Sequence, residues 1–147
     1  MNAYRKAAVM AASLALAWSM PGMAQSDPFV GGDFVEVSSV TIDDGHFLDY
    51  AGFLATQWRA EQEFAKSQGW ITGYEVLANT HKRSGEPDLI LIVRYKDMPN
   101  GAEGERRNKL FLDHVKSTDA TMQAASGDRA KYRHVIGSQL WEVLNFK

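Results

Sequence analysis

From Leu89 to Tyr95 the chain reads Leu-Ile-Leu-Ile-Val-Arg-Tyr, apolar at odd and even positions alike. Side chains of a strand alternate between its two faces, so this segment predicts a strand with oily surface on both sides of its sheet. Other segments carry more ordinary patterns. Phe34 to Ile42 is rich in β-branched residues and predicts a strand, stopped by Asp43, Asp44 and Gly45. Asp44 is placed to cap the next helix, because a carboxylate there accepts from free amides at the positive helix end. His46 to Gln68 carries Phe47, Tyr50, Phe53, Leu54, Trp58 and Phe64, largely at three- and four-residue spacing, and predicts an amphipathic helix closed by Gly69. Trp70 to Asn79 predicts a second strand, and Thr80 to Pro87 a hairpin connection into the doubly apolar strand. Asp97 to Gly104, with Pro99, Asn100 and two glycines, predicts an ordered turn or a mobile lid. Glu105 to about Thr118 predicts a second amphipathic helix built on Leu110, Phe111, His114 and Val115. Asp119 to Ala125 either prolongs it or forms a separate turn, and Gly127 ends the helical region. Leu140 to Phe146 is the closing strand.

The order is strand, helix, strand, strand, helix, strand. Two split β-α-β units in that order predict a ferredoxin-like α+β fold: a four-stranded antiparallel sheet with two main helices on one face. Helices on one side leave either Ile90 and Ile92, or Leu89, Leu91 and Val93, facing water. At roughly 25 cal/mol per Å² of apolar surface, several such side chains left wet forfeit several kcal/mol. A second copy laid sheet against sheet would bury them, so the pattern predicts a homodimer.

The first residues change the picture of where the chain works. Arg5 and Lys6 precede an apolar run, Ala7 to Trp18, broken by Pro21 and Gly22 before the small residue Ala24. That layout predicts a secretory signal peptide over 1–24, cleaved before Gln25, and a periplasmic or secreted product. The run is short of the roughly 20 residues a bilayer span needs, and no later stretch is long and oily enough to be one. A short flexible leader is expected over 25–32 and one domain over 33–147. Loss of Arg5 and Lys6, with no acid, takes the formal net charge from −2 to −4. A mildly acidic domain with no basic stripe is a poor nucleic-acid binder, since phosphate neutralisation supplies most of that affinity. Zero cysteines exclude a disulfide framework, thiolate metal sites and a cysteine nucleophile. An interior drawn from a 45 % hydrophobic composition must hold the fold.

The order of elements, the size and the two-faced third strand resemble the dimeric α+β barrel superfamily, over Phe34 to Phe146. That superfamily includes antibiotic-biosynthesis-type monooxygenases, haem-degrading enzymes, muconolactone isomerases and stress-responsive barrel proteins. The resemblance implies paired sheets and a small, often aromatic or polyketide-like ligand held near sheet and helices. In the haem-degrading members a histidine on the second helix ligates iron, beside an asparagine on the first strand and a tryptophan near the second helix. This chain offers His114 but no asparagine on its first strand, and no tryptophan between Trp70 and Trp141.

Among chemistry-bearing residues, His114 lies beside the apolar stripe of the second predicted helix, where it could serve as acid, base or axial ligand, or sit as a boundary histidine. Tyr95 ends the third strand and is its expected partner in proton transfer. Arg94, if it shares a face with Ile90 and Ile92, needs a carboxylate from Glu36, Glu75 or Glu142, and such a pair could orient an anionic ligand; alternatively it snorkels to solvent. Tyr50, Phe53, Trp58, Tyr74 and Trp141 are either plain packing or the walls of a cavity for a flat ligand. Asp43-Asp44-Gly45-His46 superficially resembles a metal site, but helix capping accounts for the acids and no metal is expected. No phosphate loop, dinucleotide fingerprint or Gly-x-Ser-x-Gly elbow occurs. The expectation is an exported homodimer binding a small apolar or aromatic molecule between sheet and helices. Catalysis there would need no organic cofactor and would rely on His114 and Tyr95; the resemblance points to oxygenation, isomerisation or cyclisation. The alternatives are a non-catalytic carrier or stress-related binding protein, and a haem-binding protein.

Overall fold

The computed structural model describes residues 26–147, so the signal peptide read over 1–24 lies outside the described residues. The chain runs β1 (Phe29–Ile42), α1 (Phe47–Phe53), a π-helical turn (Leu54–Trp58), α2 (Arg59–Ser67), β2 (Gly73–Ala78), β3 (Leu89–Tyr95), α3 (Gly101–Val115), α4 (Asp119–Arg129) and β4 (Arg133–Phe146). The strands form one sheet in the order β2-β3-β1-β4, every neighbouring pair antiparallel. This is the interleaved β-α-β arrangement the sequence predicts, and β3 occupies the residues expected of it.

Register settles which side chains share a face. Val40 pairs with Leu89, and both are buried with Tyr50 and Leu54 beneath the first helical run. By alternation, Glu36, Ser38 and Val40 of β1 lie on that helix-covered side, with Leu91, Val93 and Tyr95 of β3 and Tyr74, Val76 and Ala78 of β2. The opposite side carries Val35, Val37, Leu77, Ile90, Ile92 and Trp141, with Arg94 and Glu75 among them. Of the two sets left open by the sequence, Ile90 and Ile92 are therefore the pair on the uncovered side. Among the described residues no helix lies over that side, and Trp141 is 57 % exposed and Leu77 48 %.

Several boundaries differ from expectation. The leader expected over 25–32 lies partly within β1, which starts at Phe29 and pairs there with Phe146. Gly31 and Gly32 sit at a register shift in β1, where a Cβ on Gly32 would come within 3.0 Å of the Val143 carbonyl oxygen. Helix α3 starts at Gly101, inside the expected turn or lid, since the Asn100 side chain accepts from the Glu103 amide at 3.0 Å. It stops at Lys116, whose φ is +51°, and α4 begins afresh with the Thr118 hydroxyl accepting from the Thr121 amide. Gly127 lies inside α4 rather than at its end. Asp44 does not cap α1; His46 holds that position without a side-chain cap, after a turn in which Gly45 takes φ +86°. Strand β4 begins at Arg133, well before Leu140. Within that added length His134 pairs with Thr41 of β1.

Candidate ligand cleft

The aromatic stripe of 46–68 is divided among three environments. Tyr50 and Leu54 point into the core; Tyr50, 2 % exposed, stacks on Phe53 at 5.7 Å between ring centroids. Burial raises the Tyr50 hydroxyl above its ordinary pKa, with the opposing influence of Arg133 and Arg129. Tyr50 thus sits in the core. The π-helical turn then accommodates an extra residue per turn, which rotates the residues after it around the helix axis. Trp58, at the end of this turn, meets Tyr74 of β2 edge to face at 5.3 Å. Further along, Phe64 contacts Trp70, Phe111 and His114.

Trp58 and Tyr74 line a cleft of about 350 Å³ between the first helical run and the helix-covered side of β2. Leu54 and Leu89 form its buried floor; Phe47 and Val76, about half exposed, are part of its walls. Polar groups are few. Arg59, the first residue of α2, lines the cleft, and the Tyr74 hydroxyl donates to the Glu63 carboxylate. That hydrogen bond is the main cause of a raised Tyr74 pKa, which Arg59 opposes. An apolar lining with one or two polar groups is what a flat, largely apolar molecule requires.

Tyr95 stands at a second cleft, of about 390 Å³, between α2, α3 and the end of β3, with Trp70, Ile71, Met98 and Phe111. Its hydroxyl donates to Glu36 Oε2 at 2.8 Å, and the Ser138 hydroxyl donates to Glu36 Oε1 at 3.2 Å. Burial, reinforced by the Glu36 carboxylate, pushes the Tyr95 pKa well above the usual tyrosine value. Such a hydroxyl holds its proton and can accept a further hydrogen bond. The sequence pattern suggests Glu36 only as a partner for Arg94. An acidic residue at an even position of a strand whose even positions face the helices is the signal that could have found its role.

His114 does not join Tyr95. It is exposed, stacks face to face on Phe64 at 3.9 Å, and lines a third cleft with Gln57, Glu61, Lys116 and Met122. Arg94 sits on the uncovered side of the sheet and reaches Glu75 Oε1 at 3.3 Å, one of its three candidate carboxylates. Trp141 is on that same side, away from Trp58 and Tyr74. Near 43–46 the ionisable groups pair off instead of converging: His46 with Asp49 at 2.8 Å, His134 with Asp43 at 3.1 Å. Among the described residues no helix is long and apolar enough to cross a membrane.

Comparison with solved structures bears on this architecture. HapK from Hahella chejuensis superposes with a TM-score of 0.50 at 7 % identity, covering 78 % of this chain and 95 % of HapK. The fold is ferredoxin-like. Protein SO0527 from Shewanella oneidensis (TM-score 0.47, 12 % identity, 79 % and 95 % covered) and a dimeric ferredoxin-like protein of unknown function from Thermobifida fusca (0.44, 12 %, 80 % and 94 %) are also similar. No known protein family's sequence profile matches the chain, and no curated protein matches it by sequence.

Proposed function

We propose that the chain is an exported, homodimeric small-molecule-binding protein that takes a flat, largely apolar ligand into the Trp58–Tyr74 cleft. The observation that carries this reading is the cleft itself, an apolar concavity of about 350 Å³ built on rigid elements, with a pair of perpendicular rings along it. Its lining supplies ring faces and aliphatic carbons but no histidine or carboxylate, which favours holding a molecule over transforming it. Dimerisation is supported separately by the uncovered sheet side, where Val35, Val37, Leu77, Ile90, Ile92 and Trp141 form one apolar patch. Export is supported by the first 24 residues and is tested by N-terminal sequencing, with a mature chain starting at Gln25 expected.

The cleft is tested with N-phenyl-1-naphthylamine, a neutral fluorescent aromatic. Its emission should rise on binding and quench Trp58, and Ala55→Trp, which fills the cleft, should abolish both changes. Binding indifferent to Ala55→Trp would place the probe elsewhere and defeat the reading. A specific observation favours a second reading, that of an enzyme: the Tyr95–Glu36–Ser138 hydrogen-bonded set beside the second cleft. It would bind and orient a substrate through Tyr95 without help from His114.

A further inference from the structure

The arginines of the described residues nearly all have an evident partner. Arg83 pairs with Glu86, Arg94 with Glu75, and Arg106 and Arg107 with Glu103. Arg129 lies over the Phe53 ring at 4.0 Å and Arg133 over the Tyr50 ring at 5.6 Å. Among the described residues, Arg59 alone has neither a carboxylate within ion-pair distance nor an aromatic face beneath it; its polar neighbour is the Tyr74 hydroxyl, and it lines the apolar cleft. The nearest acid by sequence on its own side of the helix is Glu63, one turn further along α2, and that carboxylate is taken by the Tyr74 hydroxyl. A guanidinium fork next to apolar walls is a ready receptor for a planar acid, because it offers two parallel donors to two oxygens.

We propose that the ligand of this cleft is an aromatic or similarly flat apolar acid, whose carboxylate or comparable anionic group is received by Arg59 while its apolar body lies against Trp58 and Tyr74. This rests on the cleft being the binding site, and the test separates the two claims. The probes are N-phenyl-1-naphthylamine and 8-anilinonaphthalene-1-sulfonate, which share their ring systems and differ by one anionic group. Arg59→Gln should raise the Kd of the sulfonate about five-fold, as expected for a single partly exposed ion pair, and leave that of the neutral probe within about two-fold. Arg59→Lys should keep most of the sulfonate affinity. Glu63→Gln should tighten the sulfonate by removing an opposing charge, and added salt should shrink all these differences. Lys66→Gln, on the same helix but outside the cleft lining, should change neither probe. If the neutral probe binds through the cleft while the sulfonate ignores Arg59, or if both probes weaken equally in Arg59→Gln, the anionic-ligand inference fails and the cleft survives. If the neutral probe does not bind, or ignores Ala55→Trp, both claims fall.

Discussion

Ile90 is the sharpest place to test the proposed pairing of sheets. It lies on the uncovered side, opposite Ser39 of β1 and Leu77 of β2, with no cation directly across from it in either neighbouring strand. Aspartate at 90 therefore finds no ready counter-charge. In a symmetric dimer the substitution enters twice. Each copy forfeits about 1 kcal/mol of apolar burial, since Ile90 is already half covered by its neighbours, and adds at least about 2 kcal/mol for a carboxylate held away from water. Two copies make about 6 kcal/mol, a little over four orders of magnitude in Kd. Light scattering during size-exclusion chromatography should show the mature chain at twice the monomer mass and Ile90→Asp at the monomer mass, with far-UV circular dichroism confirming that the variant still folds. Ile90→Val, which removes a single methylene, should remain dimeric. A wild-type chain that stays monomeric at high concentration, or an Ile90→Asp variant that stays dimeric, would refute the reasoning.

Three individual contacts give the further expected outcomes. Tyr95→Phe leaves Glu36 Oε2 without its donor and should cost about 1–2 kcal/mol in urea denaturation. Because the unfolded tyrosine ionises near 10 and Tyr95 holds its proton higher, wild-type stability should fall as pH rises past 10, and Tyr95→Phe should flatten part of that slope. Hydrogen bonds from Arg106 and Arg107 hold the Glu103 carboxyl down at about 2, so its contribution is complete above about 4.5 and is lost as pH falls toward 2; Glu103→Gln should remove that part of the acid dependence measured by circular dichroism. Asn100→Ala deletes the α3 cap and should lower stability by about 1 kcal/mol, read by thermal melting.

Much of the architecture is legible because strand and helix periods differ and the chain keeps them apart. β3 announces itself by being apolar at every step up to Arg94, and α1 to α2 by aromatics at helical spacing. Gly69, with φ +71°, sits where a helix needs a left-handed residue to stop. Structure carried by polar or glycine-bearing segments is harder to see. The first half of β4, Arg133 to Gln139, contains His134, Gly137 and Ser138 and has no alternation to read. It is a strand because β1 offers it a complementary edge, with a register shift between Ser39 and Val40 to absorb the mismatch. The glycines at 31 and 32 look like a loose leader in one dimension. In three dimensions they let β1 approach Glu142 and Asn145.

The candidate site is legible in its residue types and illegible in its grouping, for one geometric reason. A helical stripe of aromatics reads as one wall, yet the π-helical turn at Leu54–Trp58 breaks the 3.6-residue period on which that reading depends. Before the turn, Tyr50 faces the core. After it, Trp58 faces Tyr74 and the edge of β2, and Arg59 comes immediately onto the same cleft. Tyr74 alternates onto the helix-covered side of β2, whereas Trp141, in the β4 register opposite Val35, alternates away from it. Two aromatics from the expected set thus meet, two (Tyr50 with Phe53 stacked on it) belong to the core, and one faces the other side of the sheet. The cation that the sequence does not single out follows ordinary helical spacing: Arg59 comes four residues after Ala55 and eight after Ala51, and all three line the cleft.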